Sequence, residues 1–285
     1  MTATTVQRVV VPERSFAADL RAVRIVVQRD LIRTLQDRTR FVAALVQPLL
    51  FLFVLGAGLG SLTDATTGDV HLQTFMFPGI LATSTMFTAF FSAVSIVWDR
   101  EFGFLREMLV APVRRSAIVL GKALSGATIA TVQSVLVLAL APVVDVPLSP
   151  GLVLVLLAEV FLLSFTLTTL ALAVVARITQ VQTVMGLMQV IVLPLSFLSG
   201  ALYPLSNLPT WLEVAVKLNP LTYAVHPVRS AVFDRIDAPA EVEARLDPPL
   251  TWGDWVVPTW LQLGLVAALG LVFLAIAVRQ FQKVE

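Results

Sequence analysis

Six apolar runs, each close to 20 residues or longer, restrict what this 285-residue chain can fold into. A helix needs about 20 residues, each rising roughly 1.5 Å, to cross the ~30 Å hydrocarbon layer of a bilayer. Only 14% of the residues are charged, against about a quarter in a soluble domain. The sequence therefore predicts an all-α integral membrane protein with spans at 41–60, 75–97, 117–141, 151–176, 184–202 and 256–278.

The Lys and Arg residues are distributed unevenly around these runs. Sixteen of the twenty lie in the first 40 residues, in or beside the second-to-third connection, after the fourth run and after the sixth. Cytoplasmic connections carry such an excess of basic residues. We therefore expect a multi-pass protein of the plasma or inner membrane with both termini in the cytoplasm. Residues 1–40 would form a cytoplasmic tail, 41–279 the transmembrane domain and 280–285 a second tail.

The segment 16–35 has an amphipathic helical pattern. Its apolar positions recur at steps of three and four, at Phe16, Leu20, Val23, Val27, Leu31 and Leu35. Three arginines fall on the other face, an arrangement typical of a helix lying in the headgroup layer against membrane lipids. An ordinary helix of a soluble N-terminal domain is the alternative, but forty residues give such a domain little to pack against.

The connection between the second and third runs, DREFGFLREMLVAPVRRSAIVLGK, has the densest charge of the chain. One short helix would carry an apolar stripe of Phe102, Leu105, Met108 and Leu109, with Asp99, Glu101 and Arg106 around it. A solvated connection with topogenic charges would explain the arginines alone. The interleaved acids and the stripe favour a helix that docks in a groove of another protein.

The segment between the fifth and sixth runs is too apolar for a solvated loop. Prolines divide it, and the pieces 208–218 and 221–233 are too short to cross a bilayer. Such pieces fit an external re-entrant helical hairpin, followed by an acidic external loop at 234–255.

This order of features resembles the ABC-2 type transport permeases, and within them the daunorubicin-resistance-type exporter subunits of actinobacteria. The likeness rests on FMFPGILA at 75–82, the charged connection at 99–122, LPLSFLSGALYPLSNLP at 193–209 and NPLTYAVHPVR at 219–229. The resemblance implies six transmembrane helices with an N-terminal interface helix, a cytoplasmic coupling helix at 99–112 and a re-entrant hairpin before the last span. It implies export of an amphipathic drug or lipid-like substrate.

The resemblance also implies partners. They are a separate ABC ATPase subunit, a second copy of this chain or a related permease, and membrane lipids. The coupling helix would seat on the ATPase through Asp99, Glu101, Phe102, Leu105, Arg106 and Leu109.

No G-x-x-x-x-G-K-[ST] loop occurs in the chain, so ATP and magnesium are expected on the ATPase partner. The chain has no cysteine, and its two histidines lie apart and beside no pair of carboxylates. We therefore expect no enzyme activity, cofactor or metal in this chain. Its net charge of +1 gives no indication of a nucleic-acid partner.

Glu159 is the one acid deep inside a predicted span. It would either face a cavity or partner, or pack as a protonated carboxyl bonded to Gln133 or Gln189. Gln47, Glu159 and Gln189 are the candidates for the substrate pathway. Two other functions stay open. One is a proton-coupled secondary transporter that uses Glu159, although this sequence shows no inverted repeat of the kind found in many such transporters. The other is a membrane scaffold without transport activity.

Overall fold

A computed structural model describes residues 15–56, 58, 71–103, 113–206, 208–236 and 239–283. These residues form ten α-helices and one β-hairpin. The helices are α1 (Phe16–Gln36), α2 (Arg38–Leu49), α3 (Leu72–Glu101), α4 (Arg115–Leu138), α5 (Pro150–Val175), α6 (Val181–Phe197), α7 (Thr210–Leu218), α8 (Thr222–Phe233), α9 (Ala240–Leu246) and α10 (Thr259–Lys283). Strands β1 (Thr251–Trp252) and β2 (Trp255–Val256) form the hairpin.

Four of these helices, α3, α4, α5 and α10, are long and apolar enough to cross a membrane. The runs predicted at 41–60 and 184–202 form shorter apolar helices, Val42–Leu55 and Val181–Phe197. The chain is therefore largely helical with four candidate spans, and the six-span count stays a prediction.

A proline lies within the apolar helix of the first run. Pro48 has no N–H to donate to the helical ladder, and the backbone after it continues as a π-helix at Leu50–Leu55. Residues 57, 59 and 60 of this run lie outside the described residues.

Helix α3 lies at the centre of the bundle. It packs against α4, α5, α6 and α8, and 83% of its apolar 18-residue window is buried. The corresponding window of α10, which packs mainly against α5, is only 22% buried. Large side chains such as Trp260 and Leu271 are exposed on α10, as expected of a surface that faces lipid.

The chain between α6 and α7 lies directly against α3. A Cβ added at Gly79 would lie 1.7 Å from the carbonyl oxygen of Ala201, so only glycine permits this approach of two backbones. Arg229 of α8, 1% exposed, donates to the carbonyls of Gly200 (2.6 Å) and Ala201 (3.3 Å). This crossing fixes the start of the predicted hairpin to the centre of the bundle.

Both short helices of the predicted re-entrant hairpin are present, as α7 and α8. Helix α8 is buried in the bundle, whereas α7 buries only Val216. Their depth in a membrane stays a prediction.

The expectation of an all-α chain missed the β-hairpin. Thr251 pairs with Val256 and Trp252 with Trp255 across a two-residue turn in which Gly253 has φ 62°. Glycine at the first turn position suits such a turn. Two strands of two residues each leave almost no alternating pattern in the sequence, which is why the hairpin was not predicted.

Candidate coupling and transport site

Helix α1 turns a partly acidic face toward the protein. It begins at Ser15, whose hydroxyl accepts a hydrogen bond from the N–H of Ala18 (3.1 Å). The buried positions of α1, which packs against α4, are Asp19, Val23, Val26, Asp30 and Thr34. Of the predicted apolar stripe, Phe16, Leu20 and Leu35 are exposed and Val23 is buried. The amphipathic helix is thus present, and its contact with lipid stays a prediction.

Four charged side chains from α1, α3 and α4 meet below this face. We call Arg29, Asp30, Asp99 and Lys122 the inner charge cluster. Lys122 Nζ lies 2.9 Å from Asp30 Oδ2 and 2.6 Å from Asp99 Oδ2. Arg29 Nη2 lies 3.0 Å from Asp30 Oδ1 and 3.0 Å from Asp99 Oδ2. Each base therefore bridges both acids, and the cluster is neutral as a whole.

The inner charge cluster is buried except for Arg29. The side chains of Lys122, Asp99 and Asp30 are 2%, 4% and 9% exposed, against 41% for Arg29. The hydroxyl of Ser125 donates to Asp30 Oδ2 (3.2 Å). Buried charges are tolerated only when they are paired and hydrogen-bonded in this way.

The ionisation of Asp30 follows from these contacts. Burial alone would raise the pKa of Asp30, but the ion pairs and hydrogen bonds with Lys122 and Arg29 together outweigh burial and lower it. The carboxylate is therefore charged at neutral pH, and the cluster holds α1 against α3 and α4.

The two residues after Asp99 reach other helices. Arg100 donates to the carbonyls of Ile178 (2.6 Å) and Ala176 (2.8 Å), just beyond the C-terminal end of α5. Glu101 Oε2 accepts a hydrogen bond from the N–H of Val181 (3.1 Å), the first residue of α6. Helix ends leave such carbonyls and N–H groups without partners inside the helix. The C-terminal end of α3 therefore supplies bonds at both ends of the α5–α6 connection.

Helix α1 also holds the far side of the predicted coupling segment. Asp19 Oδ1 accepts from the N–H of Arg114 (2.9 Å), the N-cap of α4, and Arg114 Nε lies 3.4 Å from Asp19 Oδ2. Through Arg29 the same helix reaches Asp99 on the near side. The chain enters and leaves residues 104–112 at points bonded to α1.

The predicted ATPase contacts lie in three different settings. Leu105, Arg106 and Leu109 lie outside the described residues. Phe102 is on the surface, 72% exposed, and Glu101 is exposed although it bonds to α6. Asp99 is buried in the inner charge cluster, so its carboxylate faces the bundle rather than a partner.

A groove runs between α2, α3 and α6. It comprises a cavity of 670 Å³ that reaches Arg33, Asp37 and Trp98 at one end, and one of 510 Å³ that reaches Ser196 and Leu202 at the other. Both cavities are lined by Gln47, Phe87, Phe91 and Met185. We call this continuous surface the α2–α3–α6 groove.

The structure separates the three candidates for the substrate pathway. Gln47 and Gln189 both line the α2–α3–α6 groove. Glu159 is buried in α5, does not line the groove, and its Oε2 has no hydrogen-bond partner among the described residues. Glu159 Oε2 therefore makes neither of the bonds predicted as the alternative, to Gln133 or to Gln189. Gln133 instead accepts from Thr88 (2.8 Å) and donates to the carbonyl of Ala44 (3.5 Å).

Sequence reasoning missed Asp30, Arg100 and Lys122 as site residues. Lys122 and Arg100 had been counted only as charges that set orientation. The available signal was their setting, because Lys122 lies inside an apolar run and Asp30, seven residues after Val23, lies beside the apolar stripe of α1. A charge in such a place requires a buried partner.

A family model for the ABC-2 type transporter matches residues 21–233, from the first turns of α1 to the end of α8. The chain belongs to the ABC-2 type transporter family. Relatives include the transport permease ycf38 of Cyanophora paradoxa, 30% identical over 72% of this chain and 72% of its own length. The doxorubicin resistance ABC transporter permease DrrC of Mycobacterium tuberculosis is 26% identical over 80% of this chain and 86% of its own. Nodulation protein J of Rhizobium leguminosarum bv. trifolii is 29% identical over 65% of this chain and 71% of its own length.

The resemblance drawn from the four sequence stretches is therefore confirmed. Members of the ABC-2 family are permease subunits of ABC transporters rather than catalytic subunits, so this chain is a membrane-spanning transport permease. The matched region contains the inner charge cluster and all three helices of the groove.

Proposed function

We propose that this ABC-2 permease is the membrane subunit of an ATP-driven exporter of amphipathic molecules. It would work beside a second copy of itself or a related permease, with separate ABC ATPase subunits that bind ATP and magnesium. The observation that carries the proposal is that one helix, α3, connects the groove to the segment predicted to contact the ATPase. This helix lines the α2–α3–α6 groove with Phe87 and Phe91 and ends at Glu101, next to the segment predicted to meet the ATPase.

The lining of the groove supports the proposed substrate class. Its middle is apolar and aromatic, with Phe51, Phe87 and Met188, and carries the amides of Gln47 and Gln189. One end presents the charged Arg33 and Asp37. Mostly apolar walls with a few polar groups are typical of sites for drug-sized ligands. A molecule with an apolar body and a polar end fits this arrangement.

The relatives support a drug-like substrate. One of them is named as a doxorubicin resistance permease. Export from the cell requires the charged end of the groove, beside α1, to face the cytoplasm. That orientation agrees with the distribution of Lys and Arg, which supports a plasma-membrane protein with both termini in the cytoplasm.

The position of Glu159 weighs against a proton-coupled transporter, the main alternative. A coupling acid should titrate within reach of the substrate pathway, whereas Glu159 does not line the groove. A scaffold without transport would have no use for a groove of this size.

Transport in inside-out vesicles tests the proposal. The permease, co-expressed with its ATPase subunit, should accumulate a fluorescent amphipathic cation such as rhodamine 6G when ATP is added, and a protonophore should not abolish the uptake. Uptake driven by a proton gradient without ATP would favour the secondary transporter. No uptake under either condition, without copurification of an ATPase, would leave the scaffold as the function.

A further inference from the structure

We propose that Asp99, Arg100 and Glu101 are positioning residues that distribute motion from the cytoplasmic end of α3 to three separate parts of the bundle. The inference rests on the proposed function, because it supposes that an ATPase displaces this end of α3. The three residues are consecutive, and each bonds to a different helix or helix connection.

Helix geometry explains how three neighbours can do this. Successive side chains of an α-helix point about 100° apart, so three in a row face three different directions. Asp99 faces α1 and α4 and binds Arg29 and Lys122. Arg100 faces the α5–α6 connection, and Glu101 faces the first residue of α6. The last turn of α3 is thereby tied to its surroundings on most of its circumference.

Arg100 makes the tie to α5. Its guanidinium donates to the carbonyls of Ala176 and Ile178 and lies 5.5 Å from the ring centroid of Phe281 in α10. Two hydrogen bonds from one planar group fix the direction as well as the distance of the connection. A displacement of Arg100 therefore carries the end of α5 with it.

Glu101 makes the tie to the groove. Its carboxylate accepts from Val181 N–H at the N-terminus of α6, where the helix dipole strengthens binding of a negative group. Met185 and Gln189 lie four and eight residues further along α6 and line the α2–α3–α6 groove. At about 1.5 Å per residue, Gln189 lies roughly 12 Å along the helix axis from the bonded end. The Glu101 bond is thus a short mechanical route from the end of α3 to the groove wall.

A purely structural role makes a different prediction. If the triplet only stabilised the fold, loss of the Glu101 bond would reduce the amount of folded protein, but each folded complex would still couple ATP to transport. The test therefore normalises every readout to the complex recovered, and compares Glu101→Ala with Glu101→Gln, which keeps an oxygen acceptor.

The experiment uses the full permease with its ATPase in lipid nanodiscs and vesicles. The chain has no cysteine, so Gln182→Cys places one reporter on the exposed first turn of α6. We expect ATP to change the rate at which a maleimide labels this position. In Glu101→Ala the change should disappear, and transport per ATP hydrolysed should fall about tenfold, as expected for loss of one charge-assisted hydrogen bond. Glu101→Gln should keep the labelling change and lose only about threefold in transport per ATP hydrolysed, because its neutral acceptor forms a weaker bond.

Arg177→Ala is the matched control. Arg177 is exposed in the same connection, between the two residues whose carbonyls Arg100 binds. It should leave labelling and transport unchanged. Should Glu101→Ala fail to yield an assembled complex, a fall of roughly threefold in transport per ATP is expected for Glu101→Gln, whose neutral acceptor forms a weaker bond.

Unchanged labelling and coupling in both Glu101 variants would overturn the inference while leaving the proposed function standing. If the unmodified permease binds no ATPase and shows no response to ATP, the proposed function fails, and the inference fails with it.

Discussion

Replacement of Lys122 by Met tests the inner charge cluster most directly. Lys122 is the buried base of the cluster, and methionine keeps a long unbranched side chain without the charge. The variant leaves Arg29, whose side chain is 41% exposed, as the one base of the cluster for both Asp30 and Asp99. Removing one partner of a buried ion pair destabilises a protein by about 3–5 kcal/mol.

Proton uptake limits the size of this effect. At pH 7, protonation of an aspartate with an ordinary pKa costs about 4 kcal/mol, so a buried acid without its base need lose no more than that. Arg29 remains 3.0 Å from both acids, which reduces the loss further. We therefore expect Lys122→Met to lower the free energy of unfolding by about 3 kcal/mol and the melting temperature by roughly 6–12 °C.

The pH dependence gives the test its sign. In the unmodified protein the pKa of Asp30 lies below the ordinary 3.8, so its stabilising contribution is fully present above that value and lost only as the pH falls below it. Burial is the largest single influence on Asp30, and without Lys122 it is opposed by the contacts with Arg29 alone. We therefore expect the pKa of Asp30 to rise in the variant. The folded variant then takes up a proton, and its stability should increase as the pH falls from 8 to 5, with a slope of at most about 1.4 kcal/mol per pH unit.

Thermal unfolding in detergent between pH 5 and pH 8 measures both effects. Arg24→Met, at an exposed position of α1, serves as control and should change the stability by no more than about 0.5 kcal/mol. Parallel pH profiles of the unmodified protein and Lys122→Met, with a stability difference below about 0.5 kcal/mol, would refute the reasoning.

Three further changes have defined outcomes. Gly79→Ala forces a Cβ against the Ala201 carbonyl and should destabilise the fold by about 2 kcal/mol or more. Its control is Gly186→Ala, which should not destabilise the fold because nothing lies within 4 Å of the added Cβ. Equal melting temperatures of the two variants would contradict this prediction. Gln189→Leu should change the relative uptake of amphipathic dyes in vesicles by several-fold while the protein folds normally, and an unchanged dye profile would remove Gln189 from the pathway. Asp254→Cys should react with an impermeant maleimide in intact cells and Gln280→Cys should not; the reverse pattern would invert the topology.

The sequence was sufficient for the long helices. The runs that became α3, α4, α5 and α10 are apolar over enough residues to cross a membrane, and length with composition is all that such a prediction needs. It was less informative at Pro48 and Pro194, where proline lies inside the apolar helix of a run and the described helices are shorter. How such helices sit in the bilayer is decided by tertiary packing.

The inner charge cluster could not be predicted because its pairs are distant in the sequence. Arg29 and Asp99 are separated by 70 positions and Asp30 and Lys122 by 92. A periodic pattern shows which face of a helix is apolar, but it does not show which other helix covers that face. The acids near the coupling segment were consequently assigned to an external partner, whereas Asp99 binds the protein's own helices.

The groove was predictable only in part. Gln47 and Gln189, polar residues of predicted spans, both line the groove. Glu159, singled out as the one acid deep inside a span, lies elsewhere. Rarity in the sequence identifies a residue that needs an explanation, but only the packing of α2, α3 and α6 identifies which residues share a surface.

The anchoring of α1 on both sides of residues 104–112 sets the rules for building hybrid permeases. Asp99 and Arg114, which α1 binds through Arg29 and Asp19, both lie outside these nine residues. A graft confined to the nine residues therefore leaves every anchor with its original partner. A longer graft that reaches position 122 would bring in a residue that, in its own protein, packs against a different α1. We expect that grafting residues 104–112 alone transfers the preference for an ATPase partner between family members. In a longer graft, α1 and the start of α4 must come from the same protein.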